Sequence, residues 1–148
     1  VRSANGLAFR PDARRMYWSD TRNHIVRSYT YGTARDELGA AATFAEFIPG
    51  SGRPDGARVD AEGCYWSAIH GGSQLIRFTP AGAVDREVKL PVSQPPMPAF
   101  GGPGLDVLYV TSAAAGLGLL HKATEPSAGG LFRFRPGVRG IPRFGFSG

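Results

Sequence analysis

Two residues whose side-chain oxygens could bind a metal ion occupy matching places in a repeated sequence pattern. Asn5-Gly6 precedes the pair Tyr17-Trp18 by about as much as Asp55-Gly56 precedes Tyr65-Trp66. An amide oxygen together with a carboxylate is a ligand set for a hard divalent cation such as Ca²⁺, Mg²⁺ or Mn²⁺, with Zn²⁺ also possible. Because two ligands hold an ion poorly, the pattern predicts a third acidic donor elsewhere.

Asp55 could instead be an ordinary turn residue with a purely structural role. Asp followed by Gly is a common turn signal, and Asp55 stands in the run Gly52-Arg53-Pro54-Asp55-Gly56. Pro54 fixes its own φ, while Gly56 tolerates a positive φ and could let the chain pass close to a ligand. The repeat, rather than Asp55 alone, favours the functional reading.

The elements that would position these residues are short strands. Alternating and aromatic-rich segments separated by Gly, Pro and Asp turns predict four strands per unit, with residues 32–42 as a connecting turn and Thr43–Ile48 as the fourth strand of the first unit. Equivalent tyrosines at 17, 65 and 109 give spacings of 48 and 44 residues. This is the period of β-propeller blades. We therefore expect an all-β propeller in which Asn5 and Asp55 lie on the channel-lining first strands of adjacent blades.

Three units do not close a propeller, which needs four to eight blades. The sequence therefore predicts that residues 1–148 form the C-terminal half of a single propeller domain. Assembly of short chains into a ring is the alternative.

Several ordered motifs resemble the SMP-30/gluconolactonase/regucalcin family. The motifs that carry the resemblance are Asn5-Gly6-Leu7-Ala8-Phe9, Tyr17-Trp18-Ser19-Asp20-Thr21, Gly52-Arg53-Pro54-Asp55-Gly56, Asp60-Ala61-Glu62-Gly63-Cys64-Tyr65-Trp66, Met97-Pro98-Ala99-Phe100-Gly101-Gly102 and Leu108-Tyr109-Val110-Thr111-Ser112. The resemblance implies a six-bladed parent, of which about three blades are present. It also implies hydrolysis of a sugar lactone, of the gluconolactone or arabinonolactone type, with one bound divalent metal ion.

The resemblance also assigns roles to individual residues. Asn5 matches a metal ligand, and Asp55 matches the residue that both binds the metal and acts as the catalytic acid/base. The family's third ligand, a glutamate, and its substrate-binding Arg and Asn belong to the half that this chain does not include. The alternatives are a non-catalytic calcium-binding or scaffold propeller, or an inactive fragment.

Composition limits the other classes of function. The net charge of +5 comes from arginines spread along the chain rather than a basic stripe with interleaved aromatics, so we expect no nucleic-acid partner. No apolar run is long enough for a membrane span, and a single cysteine excludes an internal disulfide. We expect a cytoplasmic protein with a small-molecule sugar lactone as its partner. The oligomeric state stays open.

Four further side chains are weaker candidates. His70 fits either the edge of a substrate mouth or an ordinary loop, and His121 lies in a predicted excursion, Ala113–Ser127, over the site. Cys64 falls inside a strand and is expected to be buried and inert. Asp20 fits either a hydrogen bond near the channel or simple turn chemistry. No Gly-x-Ser-x-Gly elbow or phosphate loop occurs.

Overall fold

Three antiparallel sheets follow one another along the chain. The structure is a computed structural model that describes residues 3–32, 34 and 37–142, and of His121 and Lys122 only the backbone. The strands are β1 (Ala4–Phe9), β2 (Arg15–Asp20), β3 (Ile25–Gly32), β4 (Glu37–Glu46), β5 (Arg53–Val59), β6 (Tyr65–His70), β7 (Gln74–Phe78), β8 (Val84–Lys89), β9 (Pro98–Gly101), β10 (Val107–Thr111) and β11 (Leu131–Phe134). The first blade is β1–β4, the second is β5–β8 and the third is β9–β11, each with neighbours in chain order.

Helical structure in the described residues is short. A 3₁₀ turn covers Thr21–Asn23, and a six-residue helix, α1, covers Leu119–Thr124 within the predicted excursion. No helix in this part of the chain is long and apolar enough to cross a membrane. The all-β prediction is confirmed.

The first two blades repeat the same strand register, as the sequence predicts. Trp18 lies opposite Arg27 across β2 and β3, and Trp66 lies opposite Arg77 across β6 and β7. Aligning the two units by their Tyr-Trp pairs is therefore correct for the middle strands. The described part of the third blade contains three strands rather than the four that the repeat predicts.

The predicted boundary of the fourth strand is wrong. β4 begins at Glu37, and it pairs with β3 as far as Gly32, so much of the predicted 32–42 turn is strand. The first seven residues of β4, Glu37–Thr43, are exposed. Because this edge strand buries few of its side chains, small and polar residues are tolerated and the alternation that reveals a strand is missing.

The second blade is covered on both of its faces. In β6, Tyr65 and Ile69 pack into a core shared with the first blade, while Trp66 and Ala68 pack into a second core shared with the third blade. Successive side chains of a strand point to opposite faces, so one strand can supply both cores. The first blade, by contrast, leaves Leu7 and Phe9 exposed at 55% and 40%.

The first strands of the blades lie side by side. β1 packs against β5, and β5 packs against β9. The backbone N–H of Gly56 donates to the Pro96 carbonyl, 2.8 Å away, just before the third blade begins. The N-terminal ends of β1 and β5 and the segment before β9 therefore lie close together.

Candidate metal and catalytic site

A bulge lies at each candidate residue. One extra residue enters β1 within Asn5–Ala8 and another enters β5 within Pro54–Ala57, each opposite a shorter stretch of the neighbouring strand. Bulges redirect side chains and are frequent beside active sites. Asp55 thus lies within the irregular part of β5, and Asn5 lies at the edge of the irregular part of β1.

Gly6 brings the two bulges into direct proximity. It has φ +56°, in the left-handed region, and a Cβ built on it would lie 2.7 Å from the carbonyl oxygen of Asp55. Only a residue without a side chain allows β1 to approach Asp55 so closely. The backbones of β1 and β5 therefore come into contact at Gly6 and Asp55, one residue from Asn5, across the blade boundary.

Gly56 serves a different purpose from the one the sequence suggests. Its φ is not positive, so conformational freedom is not what the position requires. A Cβ there would overlap the Pro96 carbonyl and the Met97 sulfur. Gly56 is needed for the close approach of the segment before the third blade rather than of a ligand.

The side-chain amide of Asn5 has a defined orientation. Thr21 Oγ1 donates to the Pro54 carbonyl at 2.7 Å, and because a carbonyl can only accept, the hydroxyl proton is used there. The hydroxyl must then accept from Asn5, whose Nδ2 lies 2.9 Å away. This leaves the amide oxygen Oδ1 directed away from Thr21, and no described residue donates to it.

Asp55 is half-buried. Burial raises the pKa of its carboxyl above the ordinary value, and the charge of a protonated His70 and the adjacent Gly56 N–H lower it only in part. Such a carboxylate is costly to keep ionised without a cation. Carboxyl groups with shifted pKa values are enriched at functional sites.

The loop Thr21–His24 fixes the backbone that leads to Asp55. Thr21 bonds the Pro54 carbonyl, and His24 Nδ1 lies 3.2 Å from the Gly52 carbonyl. The loop belongs to the first blade and the two carbonyls belong to the second. The position of Asp55 is thus tied to Asn5 across the blade boundary.

The donor set fits a hard divalent cation in part. A neutral amide oxygen and a carboxylate are the kinds of donor that such an ion prefers. No group of three or more His, Cys, Asp or Glu residues suited to a metal occurs in the described part of the chain. Asn5 and Asp55 would supply two ligands, and the others would come from elsewhere.

The four weaker candidate residues occupy different kinds of position in the structure. His70 ends β6 opposite Arg53 and acts electrostatically on Asp55, so it lies beside the site. Cys64 directly precedes β6 instead of lying inside a strand as predicted, but it is buried, and burial raises the pKa of its thiol, as expected for an inert residue. Asp20 accepts from Asn23 Nδ2 at 2.7 Å, which is turn chemistry. The side chain of His121 lies outside the described residues.

The sequence does not indicate the role of Thr21 or the burial of Asp60. The Asp60–Gly63 segment is a turn, as its residue types predict, and Asp60 Oδ1 accepts from the backbone N–H groups of Glu62 and Cys64. Thr21 could have been found from topology, because the end of β2 lies beside the start of β1 in an antiparallel pair. Asp60 is fully buried and accepts hydrogen bonds from Trp66 Nε1 and Arg77 Nε, each at 2.9 Å. The sequence signal that could have indicated its burial is the pair Trp66 and Arg77, which align with Trp18 and Arg27 of the first unit.

A large cleft lies away from these residues. Its volume is about 1240 Å³, and its lining includes Phe9, Val59 and Phe100, at or near the far ends of the inner strands. Neither Asn5 nor Asp55 lines it. The cleft is therefore distinct from the candidate site.

Blades packed side by side, with oxygen ligands on adjacent inner strands, define a propeller with a candidate cation site. The model of the SMP-30/Gluconolactonase/LRE-like region matches residues 1–114. The chain therefore belongs to this family. The predicted family and the predicted propeller fold are both confirmed.

Two curated relatives are lactonases. The chain is 42% identical over 150 residues to 6-deoxy-6-sulfogluconolactonase of Pseudomonas putida, matching 100% of the chain and 51% of that protein. It is 36% identical over 147 residues to L-arabinolactonase of Azospirillum brasilense, matching 98% of the chain and 47% of that protein. The chain thus spans about half the length of the curated relatives it matches.

A solved structure shows the same fold. The calcium-binding protein regucalcin from Agrobacterium tumefaciens str. C58 is 30% identical, with a TM-score of 0.87 over 95% of this chain and 48% of that chain. The strand arrangement here is therefore also found in that solved structure, over about half of its chain.

Proposed function

We propose that the full gene product carrying this chain hydrolyses a sugar lactone to the corresponding aldonic acid. The observation that carries the proposal is the placement of Asn5 and Asp55 on adjacent inner strands, joined through Gly6 and Thr21. The names of the two lactonase relatives support the substrate class. In this proposal the 148 residues form the C-terminal half of a six-bladed ring.

Asp55 is the acid/base of the proposed reaction. It takes a proton from water while the water oxygen forms a bond to the lactone carbonyl carbon. The bond between that carbon and the ring oxygen then breaks, and Asp55 returns the proton to the ring oxygen, which becomes a hydroxyl. One water is consumed, and Asp55 ends in its starting state.

Burial raises the pKa of Asp55 in the metal-free protein, whereas a bound cation would lower it, so Asp55 would act there as an available but weak base. Asn5 holds Oδ1 toward the reacting region. A divalent cation held by Asn5 and Asp55 would polarise the lactone carbonyl and stabilise the oxyanion that forms on it. The third ligand and the residues that select the sugar are proposed to lie outside these 148 residues.

The test is a lactone panel with acid release as the readout. The full gene product is assayed with gluconolactone, arabinonolactone and 6-deoxy-6-sulfogluconolactone after chelation and then with Ca²⁺, Mg²⁺, Mn²⁺ or Zn²⁺ added. We expect metal-dependent turnover of at least one lactone, and loss of both metal binding and turnover in Asp55→Ala. Asp12→Ala, in an exposed turn, is the matched control and should behave as wild type.

Two results would contradict the proposal. One is the absence of turnover for every lactone with every metal. The other is a wild-type rate in the folded Asp55→Ala variant.

A non-catalytic calcium-binding role is the second candidate. It is favoured by the likeness to a solved structure described as a calcium-binding protein. Calorimetric binding of Ca²⁺ that depends on Asp55, without turnover of any lactone in the panel, would select this function.

A further inference from the structure

A hydrogen-bonded relay crosses the blade boundary at the candidate site. Asn5 Nδ2 donates to Thr21 Oγ1 at 2.9 Å, and Thr21 Oγ1 donates to the Pro54 carbonyl at 2.7 Å. The two bonds join the β1 bulge to the residue immediately before Asp55. Each of the two candidate ligands is therefore held, directly or through the backbone, by one hydroxyl.

The direction of the relay determines which end of the Asn5 amide faces the site. The Thr21 proton is used on Pro54, so only the amide nitrogen of Asn5 can satisfy the hydroxyl oxygen. Without the hydroxyl, nothing in the described residues distinguishes the nitrogen from the oxygen. A flipped amide would present N–H groups, which repel a cation.

Thr21 is well placed to hold this geometry. It begins the 3₁₀ turn, and its own backbone N–H donates to the Ser3 carbonyl at 3.0 Å. The 3₁₀ turn packs against β5. The hydroxyl is therefore supported by the backbones of both blades.

We propose that Thr21 is a positioning residue that keeps the Asn5 amide oxygen turned toward the divalent cation of the site. The inference rests on the proposed function, because it requires Asn5 and Asp55 to bind that cation. Groups that orient metal ligands typically change metal affinity about 10–100-fold when they are removed. Thr21 itself contacts neither the cation nor the substrate in this proposal.

The test compares variants of the full gene product by calorimetric titration with Ca²⁺ and Mn²⁺. Thr21→Val keeps the shape but removes the hydroxyl, and we expect affinity to fall about 10–100-fold. Thr21→Ser keeps the hydroxyl and should retain an affinity near that of wild type. Thr43→Val, at an exposed position of β4, is the matched control and should change nothing.

A double-mutant cycle separates positioning from general structural support. If Thr21 acts through Asn5, Thr21→Val should have no further effect on metal affinity in an Asn5→Ala background. An equal loss of affinity in both backgrounds would show a merely structural role and overturn the inference. Unchanged affinity in Thr21→Val would overturn it as well.

The same titration tests the metal site and the role of Thr21 separately. If the wild-type protein binds neither Ca²⁺ nor Mn²⁺, the metal site is wrong and the role of Thr21 falls with it. If wild type binds and Thr21→Val binds equally well, only the role of Thr21 is wrong and the site stands.

Discussion

The hydroxyl of Tyr65 in the second blade donates a hydrogen bond of 2.8 Å to the Gly6 carbonyl in the first blade. Because the phenolic proton is used there, Ser19 Oγ, 3.0 Å from the same oxygen, must be the donor to Tyr65. All three groups are buried. This chain of hydrogen bonds joins the blades one residue away from Asn5.

Tyr65→Phe should destabilise the protein without creating a large cavity. The substitution leaves the Gly6 carbonyl and the Ser19 hydroxyl without this buried partner, which costs about 1–3 kcal/mol in the free energy of unfolding. Chemical denaturation measures the loss. Tyr29→Phe, in a less buried strand position, is the control, and an equal loss in both variants would contradict the prediction.

Gly6→Ala should be more harmful than an ordinary glycine substitution. A left-handed φ costs an L-residue roughly 1–2 kcal/mol, and the added Cβ would also crowd the Tyr65 hydroxyl at 2.5 Å. Gly116→Ala is the matched control, because Gly116 also has a positive φ but no atom lies near its Cβ. Denaturation midpoints should fall further for Gly6→Ala, and equal shifts would argue against close packing at Gly6.

Asp60→Asn should cost far more stability than Asp85→Asn. Both carboxylates pair with Arg77, but Asp60 is fully buried whereas the Asp85 side chain is 32% exposed. Disrupting a buried ion pair costs about 3–5 kcal/mol, whereas solvent screens the pair that Arg77 forms with the exposed Asp85. The two variants are compared by denaturant unfolding at neutral pH. Equal losses would mean that burial of Asp60 does not determine the strength of the pair.

Asp55→Asn should stabilise the metal-free protein at neutral pH. Burial raises the pKa of Asp55 in the folded state above its unfolded value, so the folded state binds the proton more tightly. The contribution of Asp55 to the free energy of unfolding is fully present below its pKa in the unfolded state. It is lost as pH rises through its pKa in the folded state. Because Asn does not ionise, Asp55→Asn should raise the midpoint temperature of unfolding at neutral pH. It should also reduce the change of this midpoint with pH above the pKa of Asp55 in the unfolded state.

The Asp55→Asn measurement is made by thermal unfolding with a chelator present across a pH series. Asp12→Asn controls for loss of a carboxylate from an exposed turn. A lower unfolding midpoint for Asp55→Asn at neutral pH would contradict the desolvation argument.

The repeat made much of the fold predictable. The Tyr-Trp pairs at 17 and 65 align the blades correctly because these side chains fill equivalent places in the sheets. β4 was misjudged, because exposed strand residues such as Ala41 and Ala42 carry no periodic signal. The turn at Asp60 was predictable, but its buried pairing with Arg77 was not, because the two residues lie seventeen positions apart along the chain.

The sequence by itself determined the family, the blade repeat and the pairing of Asn5 with Asp55 as candidate ligands. These follow from residue types and their spacing along the chain. Only the tertiary structure decided how the pair is held, through Thr21 on one side and Gly6 on the other. The physical reason is that hydrogen-bond direction and backbone approach depend on strands packing across a blade boundary, and residues 16 to 33 positions apart along the chain then share one relay.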